Sequence, residues 1–119
     1  MFLLFLLIQI VLSINTNQIN IVNDTNEIRI SGEGSIKQND FKEYKNEIKK
    51  VILENKITLI GKGSFSNSKI KEIIIGKDVE SIEQRAFENC QTLEKVTFNS
   101  NSKLKTINDY AFRNCINLK

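Results

Sequence analysis

The stretch Val79–Phe98, VESIEQRAFENCQTLEKVTF, is nearly repeated on both sides of its own position. Downstream the same order appears as LKTI from residue 104 and YAFRNC from residue 110. Upstream it appears in weaker form as ITLI from residue 57, SFSN from residue 64 and IKEIII from residue 70. The phenylalanines of these copies, Phe65, Phe87 and Phe112, lie 22 and 25 residues apart. A period in the low twenties is typical of leucine-rich-repeat solenoids, in which each copy forms one coil.

Each copy divides into a strand and a turn. The strand follows the pattern L-x-x-L-x-L, as in LEKVTF from residue 93, and its last two apolar positions share one face because side chains alternate along a strand. In the turn we expect Ser81 to cap a short helix, with Gln84 in the capping-box position and Phe87 in the core. Asn89 is expected to adopt a left-handed conformation at the end of that helix. One copy cannot bury its apolar side alone, so the copies are expected to stack as neighbouring strands of one parallel sheet.

The composition excludes several kinds of function. The chain has 119 residues, 40% of them hydrophobic and 26% charged, with a net charge of +3. A charge this small and this evenly spread does not indicate a nucleic-acid-binding surface. The sequence contains no histidine, which removes the commonest general base and metal ligand. We therefore predict a protein that is not an enzyme and binds no cofactor or metal.

The first segment, Met1–Ser13, reads MFLLFLLIQIVLS and is almost entirely apolar. A transmembrane helix needs about 20 such residues, so the run is too short to span a membrane and fits the core of a signal peptide. Residues 1–13 are therefore predicted to be a signal peptide, and the protein is expected to be secreted or located at the cell surface. The alternative is a buried N-terminal strand or helix.

Residues 14–47 are predicted to form an N-terminal hairpin and a helical cap, ahead of the repeats in residues 48–119, of which the last is truncated. Alternating isoleucines on both sides of the turn-forming NDTN sequence at residue 23 indicate a β-hairpin. Asn23 begins an N-glycosylation sequon at the expected tip of that hairpin. Further on, the spacing of Phe41, Tyr44 and Ile48 predicts a short helix over Asp40–Lys49.

The sequence GKDVESIEQRAFENCQTLEKVTF and its two neighbouring copies resemble the BspA-like subclass of leucine-rich repeats. The upstream segments ISGEGSI and IKKVILENKITLIGKGSF are also similar to the start of the repeat region in that family, so the resemblance covers residues 26–119. It implies an α/β repeat solenoid of the leucine-rich-repeat type, with one parallel sheet and short helical turns after the hairpin and helix.

The same resemblance implies a function. Family members are mainly surface or secreted proteins of bacteria and of protists such as trichomonads, and they act in adhesion and protein binding. The expected partner is a protein or glycan on another cell surface, and a membrane link is expected only if a longer form carries an anchor. An alternative is a structural fragment of a longer solenoid without a ligand site, because the sequence stops at Leu118-Lys119, where the next strand is expected to begin.

Cys90 and Cys115 occupy equivalent positions in two copies, and Ser68 occupies that position in a third. In a secreted protein the two cysteines could form a disulfide. They could also be buried free thiols that pack as small hydrophobic groups, which the serine at the third position favours. No histidine or cluster of basic residues is close in sequence to activate either thiol, so neither is predicted to be catalytic.

The residues beside Val51, Ile73 and Val96 are expected to face outward from the sheet, because these three face inward. Branched apolar residues on an open sheet face are candidates for protein contact, although their preference for β-strands is a sufficient structural explanation. The predicted contact face consists of Lys50, Ile52, Glu72, Ile74, Lys95 and Thr97.

Overall fold

Four stacked coils of a β-solenoid form the fold in a computed structural model that describes Leu12–Ser13, Asn20–Asp24 and residues 26–119. The coils span residues 27–49, 50–71, 72–94 and 95–119, and each contributes one strand to each of two sheets. The strands are β1 (Leu12–Ser13), β2 (Asn20–Asp24), β3 (Glu27–Ser31), β4 (Gly34–Ile36), β5 (Lys50–Leu53), β6 (Ile57–Ile60), β7 (Glu72–Ile75), β8 (Ser81–Ile82), β9 (Lys95–Phe98) and β10 (Thr106–Ile107).

The larger sheet, sheet A, has the strand order β1-β2-β3-β5-β7-β9. Strands β3, β5, β7 and β9 run parallel, whereas β1 and β2 are antiparallel to their neighbours. Within β5 and β7 every second residue is buried, as expected for strands with one face on a core. The inward row Ile28, Val51, Ile73 and Val96 is in direct register.

The prediction of one parallel sheet is wrong, because a second parallel sheet, sheet B, has the order β10-β8-β6-β4. Strands β6 and β10 come from the ITLI and LKTI segments of the repeat copies. Ile60 pairs with Ile82 and Ile82 with Ile107. Ile60 and Ile82 are fully buried, so this pairing also covers the side of the core opposite sheet A.

The predicted helical turns are also wrong. In the part of the chain that the structure describes, the one helix is a 3-10 helix at Lys42–Tyr44. An α-helix requires each N–H to bond to the carbonyl four residues back, but the Cys90 N–H bonds to the Phe87 carbonyl at 3.2 Å. The Phe87 N–H instead donates to the Ala111 carbonyl of the next coil at 2.7 Å. Backbone groups that would build a helix are therefore used to join the coils.

Left-handed residues on both sides of Phe65, Phe87 and Phe112 shape these turns. The asparagines two residues after the phenylalanines have φ of 61°, 60° and 59°, which confirms the predicted left-handed conformation; they are Asn67, Asn89 and Asn114. Two residues before the phenylalanines, Gly63, Arg85 and Tyr110 have φ of 62°, 58° and 59°. This alternation interrupts the right-handed run that a helix needs. Ser81 caps no helix, since it lies in β8 and its hydroxyl donates to Glu83 at 2.6 Å.

Aromatic rings stacked through all four coils form the centre of the core. The ring centroids of Phe41 and Phe65 are 4.8 Å apart, those of Phe65 and Phe87 are 5.2 Å apart and those of Phe87 and Phe112 are 5.0 Å apart. The last two pairs are parallel to within 4°, and the first three rings are fully buried. Such contacts add to the stabilisation that each ring gains by leaving water.

Phe41 identifies residues 27–49 as a complete coil. Phe41, Tyr44 and Ile48 are buried, as their predicted helical face required, but the predicted helix over Asp40–Lys49 is reduced to the short 3-10 helix. The Asp40 carboxylate accepts the Lys37 N–H at 2.8 Å, and the 3-10 helix has Phe41 at its N-cap position. Because this coil has a strand in both sheets, it is part of the stack, and the predicted division before residue 48 falls within it, close to its end at residue 49.

Several N-terminal predictions fall partly outside the described residues. Strand β2 is antiparallel to β3, with Asp24 paired to Glu27, but residues 14–19 and 25 are outside the description, so the hairpin as proposed stays a prediction. Most of the predicted signal peptide is also outside it, and Leu12–Ser13 form β1. Asn23 lies within β2, paired with Ile28.

Candidate functional site

The outer face of sheet A carries two straight rows of side chains, one residue from each of β3, β5, β7 and β9. We call these the charged row and the mixed row. Both rows follow from the parallel register, which aligns residues at the same position in successive coils. The charged row is Glu27, Lys50, Glu72 and Lys95, and the mixed row is Arg29, Ile52, Ile74 and Thr97.

All six residues of the predicted contact face lie in these rows, so the structure brings them together as neighbours. Ile52 and Ile74 are paired directly but only partly exposed. They contribute a narrow apolar strip with Arg29 on one side and Thr97 on the other. A face of this kind can pack against a protein surface, since apolar groups bordered by polar ones are common at protein contacts. Whether it does so stays a prediction.

Charges alternate in sign along the charged row. The Lys50 ammonium lies 3.9 Å from a carboxylate oxygen of Glu72. In the mixed row the Arg29 guanidinium lies 3.3 Å from carboxylate oxygens of both Glu27 and Glu54. Ion pairs as exposed as these stabilise a fold by only about 0–1 kcal/mol each. Their larger effect is on recognition, because a partner must match an alternating pattern rather than a single charge.

Glu27 and Arg29 were not predicted as part of the contact face, because their strand was assigned to a hairpin rather than to the repeats. Two spacings in the sequence indicate that this strand belongs to the repeats. Ile28 precedes Val51 by 23 residues and Phe41 precedes Phe65 by 24 residues, close to the steps between the later copies. The spacing of both features indicates an additional coil before residue 48.

The turns carry two further rows, whose side chains are already engaged with one another. The Asn114 amide donates to Asn89 at 2.8 Å, and the Asn89 amide donates to Asn67 at 3.2 Å. Beside them, Ser68 lies 3.3 Å from the Cys90 sulfur. These contacts connect one coil to the next and give the recurring asparagines a structural role.

Cys90 and Cys115 are free thiols in the structure. Each donates to a carbonyl of the preceding coil, Cys90 to Phe65 at 3.1 Å and Cys115 to Phe87 at 3.0 Å. Burial raises the pKa of the Cys90 thiol and raises the pKa of Cys115 to about 11. Both are therefore protonated at neutral pH, and because the thiolate is the nucleophilic form, neither is activated for catalysis.

In residues 26–119 and the short strands before them, no group of three or more metal-ligating side chains is close enough to hold an ion. The same part of the chain contains no helix with the length and hydropathy needed to cross a membrane. The outer face of sheet A is thus the candidate site that the geometry supports best.

Comparison with known proteins gives a consistent result for the fold. The chain is similar to a crystal structure of a leucine-rich repeat protein from Eubacterium ventriosum ATCC 27560, with 24% identity and a TM-score of 0.71. The match covers 87% of this chain and 29% of that one, so the chain spans less than a third of the neighbour's length. No curated protein matches the chain. The family model described as "BspA type Leucine rich repeat region (6 copies)" matches residues 13–119. The chain belongs to this family of BspA-type leucine-rich repeat proteins.

Proposed function

We propose that this protein is a secreted or cell-surface interaction module that binds a protein or glycan through the outer face of sheet A and catalyses no reaction. The observation that carries the proposal is the in-register pair of rows on that face. Leucine-rich repeats of this type suggest protein interaction as the general function. Adhesion is the specific form proposed here.

Two features support this face over the other surfaces. The phenylalanines and asparagines of the turns pack on or bond to equivalent residues of neighbouring coils. The cysteines donate to phenylalanine carbonyls of the preceding coil. On the outer face of sheet A, by contrast, Ile74 and Thr97 are partly exposed although they are not needed to fill the core. Secretion rests on the predicted signal peptide in residues 1–13 and fits the proposed glycosylation of Asn23.

Replacing Ile74 with aspartate should weaken partner binding by about tenfold or more, the scale of a lost contact near the centre of an interface. The added carboxylate would lie between the apolar strip and a partner and would lose its hydration there. The measurement is a binding screen against an array of cell-surface proteins and glycans, followed by dissociation constants for the strongest binder.

Leu59→Asp is the matched control, because Leu59 is also a partly exposed aliphatic residue in a central strand but lies in sheet B. It should leave binding unchanged within about twofold, an effect well below the loss of a central interface contact. Both variants are compared by circular dichroism to show equal folding. Equal loss in the two variants, or unchanged binding by Ile74→Asp, would count against the proposed face.

A further inference from the structure

The position two residues before the phenylalanine of a turn carries a large side chain in two coils. Gly63 holds this position in the second coil, Arg85 in the third and Tyr110 in the fourth, with φ of 62°, 58° and 59°. Glycine adopts this left-handed conformation freely, whereas a bulky residue is strained in it. The turn itself therefore does not require arginine or tyrosine. Strained residues of this kind cluster at functional sites.

These side chains face outward from the side of the stack. Arg85 belongs to the third coil, which has a neighbouring coil on each of its two sides, yet 46% of its side chain is exposed. The position is therefore open to solvent where the stack continues in both directions. Tyr110 holds the same position one coil later, and the Arg85 guanidinium carbon lies 5.6 Å from the centroid of its ring.

A second arginine completes a compact cluster on this surface. The guanidinium carbon of Arg113 lies 5.3 Å from the centroid of the same tyrosine ring. We call Arg85, Tyr110 and Arg113 the arginine–tyrosine cluster. The carboxylate oxygens of Glu88 lie 3.7 Å from Nε of Arg85 and 3.7 Å from Nη1 of Arg113. Two positive charges thus share one negative charge.

The two guanidinium groups have hydrogen-bonding capacity that the protein leaves unused. A charge-assisted hydrogen bond is about 2.7–2.9 Å long, so the contacts with Glu88 are ion pairs without hydrogen bonds. Within residues 26–119, neither the Arg85 nor the Arg113 side chain donates a hydrogen bond. Because a guanidinium carries five N–H donors, the cluster can donate to an added anion that reaches both arginines.

The backbone beside the cluster indicates what kind of anion fits. The Arg85 N–H donates to the Asp109 carbonyl at 3.1 Å, and the Phe87 N–H donates to the Ala111 carbonyl at 2.7 Å. Since these groups already join two coils, an acidic peptide could not bind here by adding a strand. A small oxyanion needs only the guanidinium groups, which bind such anions in a bidentate manner.

Tyr110 adds an apolar surface to this anion site. Its side chain is 53% exposed, and an aromatic ring can pack against the C–H groups of a sugar ring while its hydroxyl stays in water. We propose that the arginine–tyrosine cluster binds an anionic saccharide, with a sulfate or carboxylate group on Arg85 and Arg113 and the sugar ring against Tyr110. The cluster lies in the turns and not on the outer face of sheet A, so either proposal can fail without the other.

The first test compares four probes of matched length on the full chain by fluorescence anisotropy. The probes are a sulfated chondroitin hexasaccharide, its unsulfated form, which keeps its carboxylates, neutral cellohexaose and a hexaglutamate peptide. The sulfated hexasaccharide should bind at least about tenfold more tightly than cellohexaose, the scale of one hydrogen bond between charged groups. Equal binding of the two chondroitins assigns the carboxylate as the recognised group, and a preference for the sulfated form assigns the sulfate. Equal binding of cellohexaose, or tighter binding of hexaglutamate, would overturn the proposal.

Charge variants locate the binding of the sulfated hexasaccharide. Arg85→Gln and Arg113→Gln should each weaken it by about tenfold, because each removes charge-assisted hydrogen bonds to the anion. Lys105→Gln is the matched control, since it also removes one positive charge but from a side chain outside the cluster that is 70% exposed and paired with Glu80. It should leave binding unchanged within about twofold. Equal losses in all three variants would show attraction to net charge alone and would overturn the proposal.

Two variants of Tyr110 separate binding from folding. Tyr110→Gly introduces the residue that the second coil has at this position, Gly63, so it removes the ring and relieves the backbone strain. It should weaken binding of the sulfated hexasaccharide by about fivefold or more and leave the circular dichroism spectrum unchanged. Tyr110→Phe keeps the ring and should bind like the original chain. Unchanged binding by Tyr110→Gly, or equal loss in both variants, would overturn the proposal.

Discussion

Replacing Phe87 with alanine should lower the free energy of unfolding by about 3–5 kcal/mol, the usual cost of removing a buried phenylalanine ring. Phe87 is fully buried, and its ring is stacked on Phe65 on one side and on Phe112 on the other. Its removal leaves a cavity between two coils that cannot close, because strands β7 and β9 are held at the fixed spacing of a sheet. The change is measured from urea unfolding curves followed by circular dichroism.

Phe112→Ala is the matched control for this prediction. Phe112 is only partly buried, and among the described residues its ring stacks on Phe87 alone. Its removal therefore returns less apolar surface to water. We expect it to cost about half as much as Phe87→Ala, in proportion to the area that is buried. Equal costs for the two variants would contradict the central role of the ring stack.

Replacing Ser64 with alanine should stabilise the protein by about 1–2 kcal/mol, within the range for removing a buried polar group that lacks a partner. Ser64 is fully buried, and within the described residues its hydroxyl oxygen has no hydrogen-bond partner. The third and fourth coils have Ala86 and Ala111 at this position, and both are buried. Alanine therefore fits the site without a hydroxyl that needs a partner.

The reciprocal change, Ala86→Ser, places the same hydroxyl in the equivalent buried position of the third coil. It should destabilise the protein by a similar amount, about 1–2 kcal/mol. The two variants are compared by thermal and urea unfolding under identical conditions. A loss of stability in Ser64→Ala would show that the Ser64 hydroxyl makes a favourable interaction that the structure does not describe.

The repeat itself was predictable because its most constrained residues recur at nearly regular steps. Phe65, Phe87 and Phe112 must stack to fill a continuous core, and this requirement is visible as a spacing. The inward positions Val51, Ile73 and Val96 were also predictable, because alternation along a strand has a single period. These features correctly indicated a leucine-rich-repeat solenoid with a parallel sheet.

The turns were not predictable from local sequence. The segment SIEQRAFENC has a serine, a glutamine and an asparagine at positions typical of a short capped helix. In the structure, N–H groups such as that of Phe87 bond to the next coil, and this contact depends on residues about 25 positions away. The positive φ of Arg85 and Tyr110 was equally hidden, since neither residue type favours that conformation.

The candidate site was only partly predictable. Strand register placed Ile52 beside Ile74 and Lys50 beside Glu72, as the repeat spacing implied. The limited exposure of Ile52 and Ile74 could not be predicted, because the exposure of a side chain depends on its three-dimensional surroundings and not only on its position in the repeat. The first coil was missed because Glu27–Ser31 pairs with strands on both sides, and its antiparallel neighbour made it resemble a hairpin.

Hydroxyl-radical footprinting tests the proposed function most directly. The protein is oxidised alone and with the strongest binder from the array, and side-chain oxidation is compared by mass spectrometry. We expect the binder to protect Ile52 and Ile74 on the outer face of sheet A and to leave Leu59 in sheet B unchanged. Protection of Leu59 without protection of Ile52 and Ile74 would contradict the proposal that the outer face of sheet A is the binding surface.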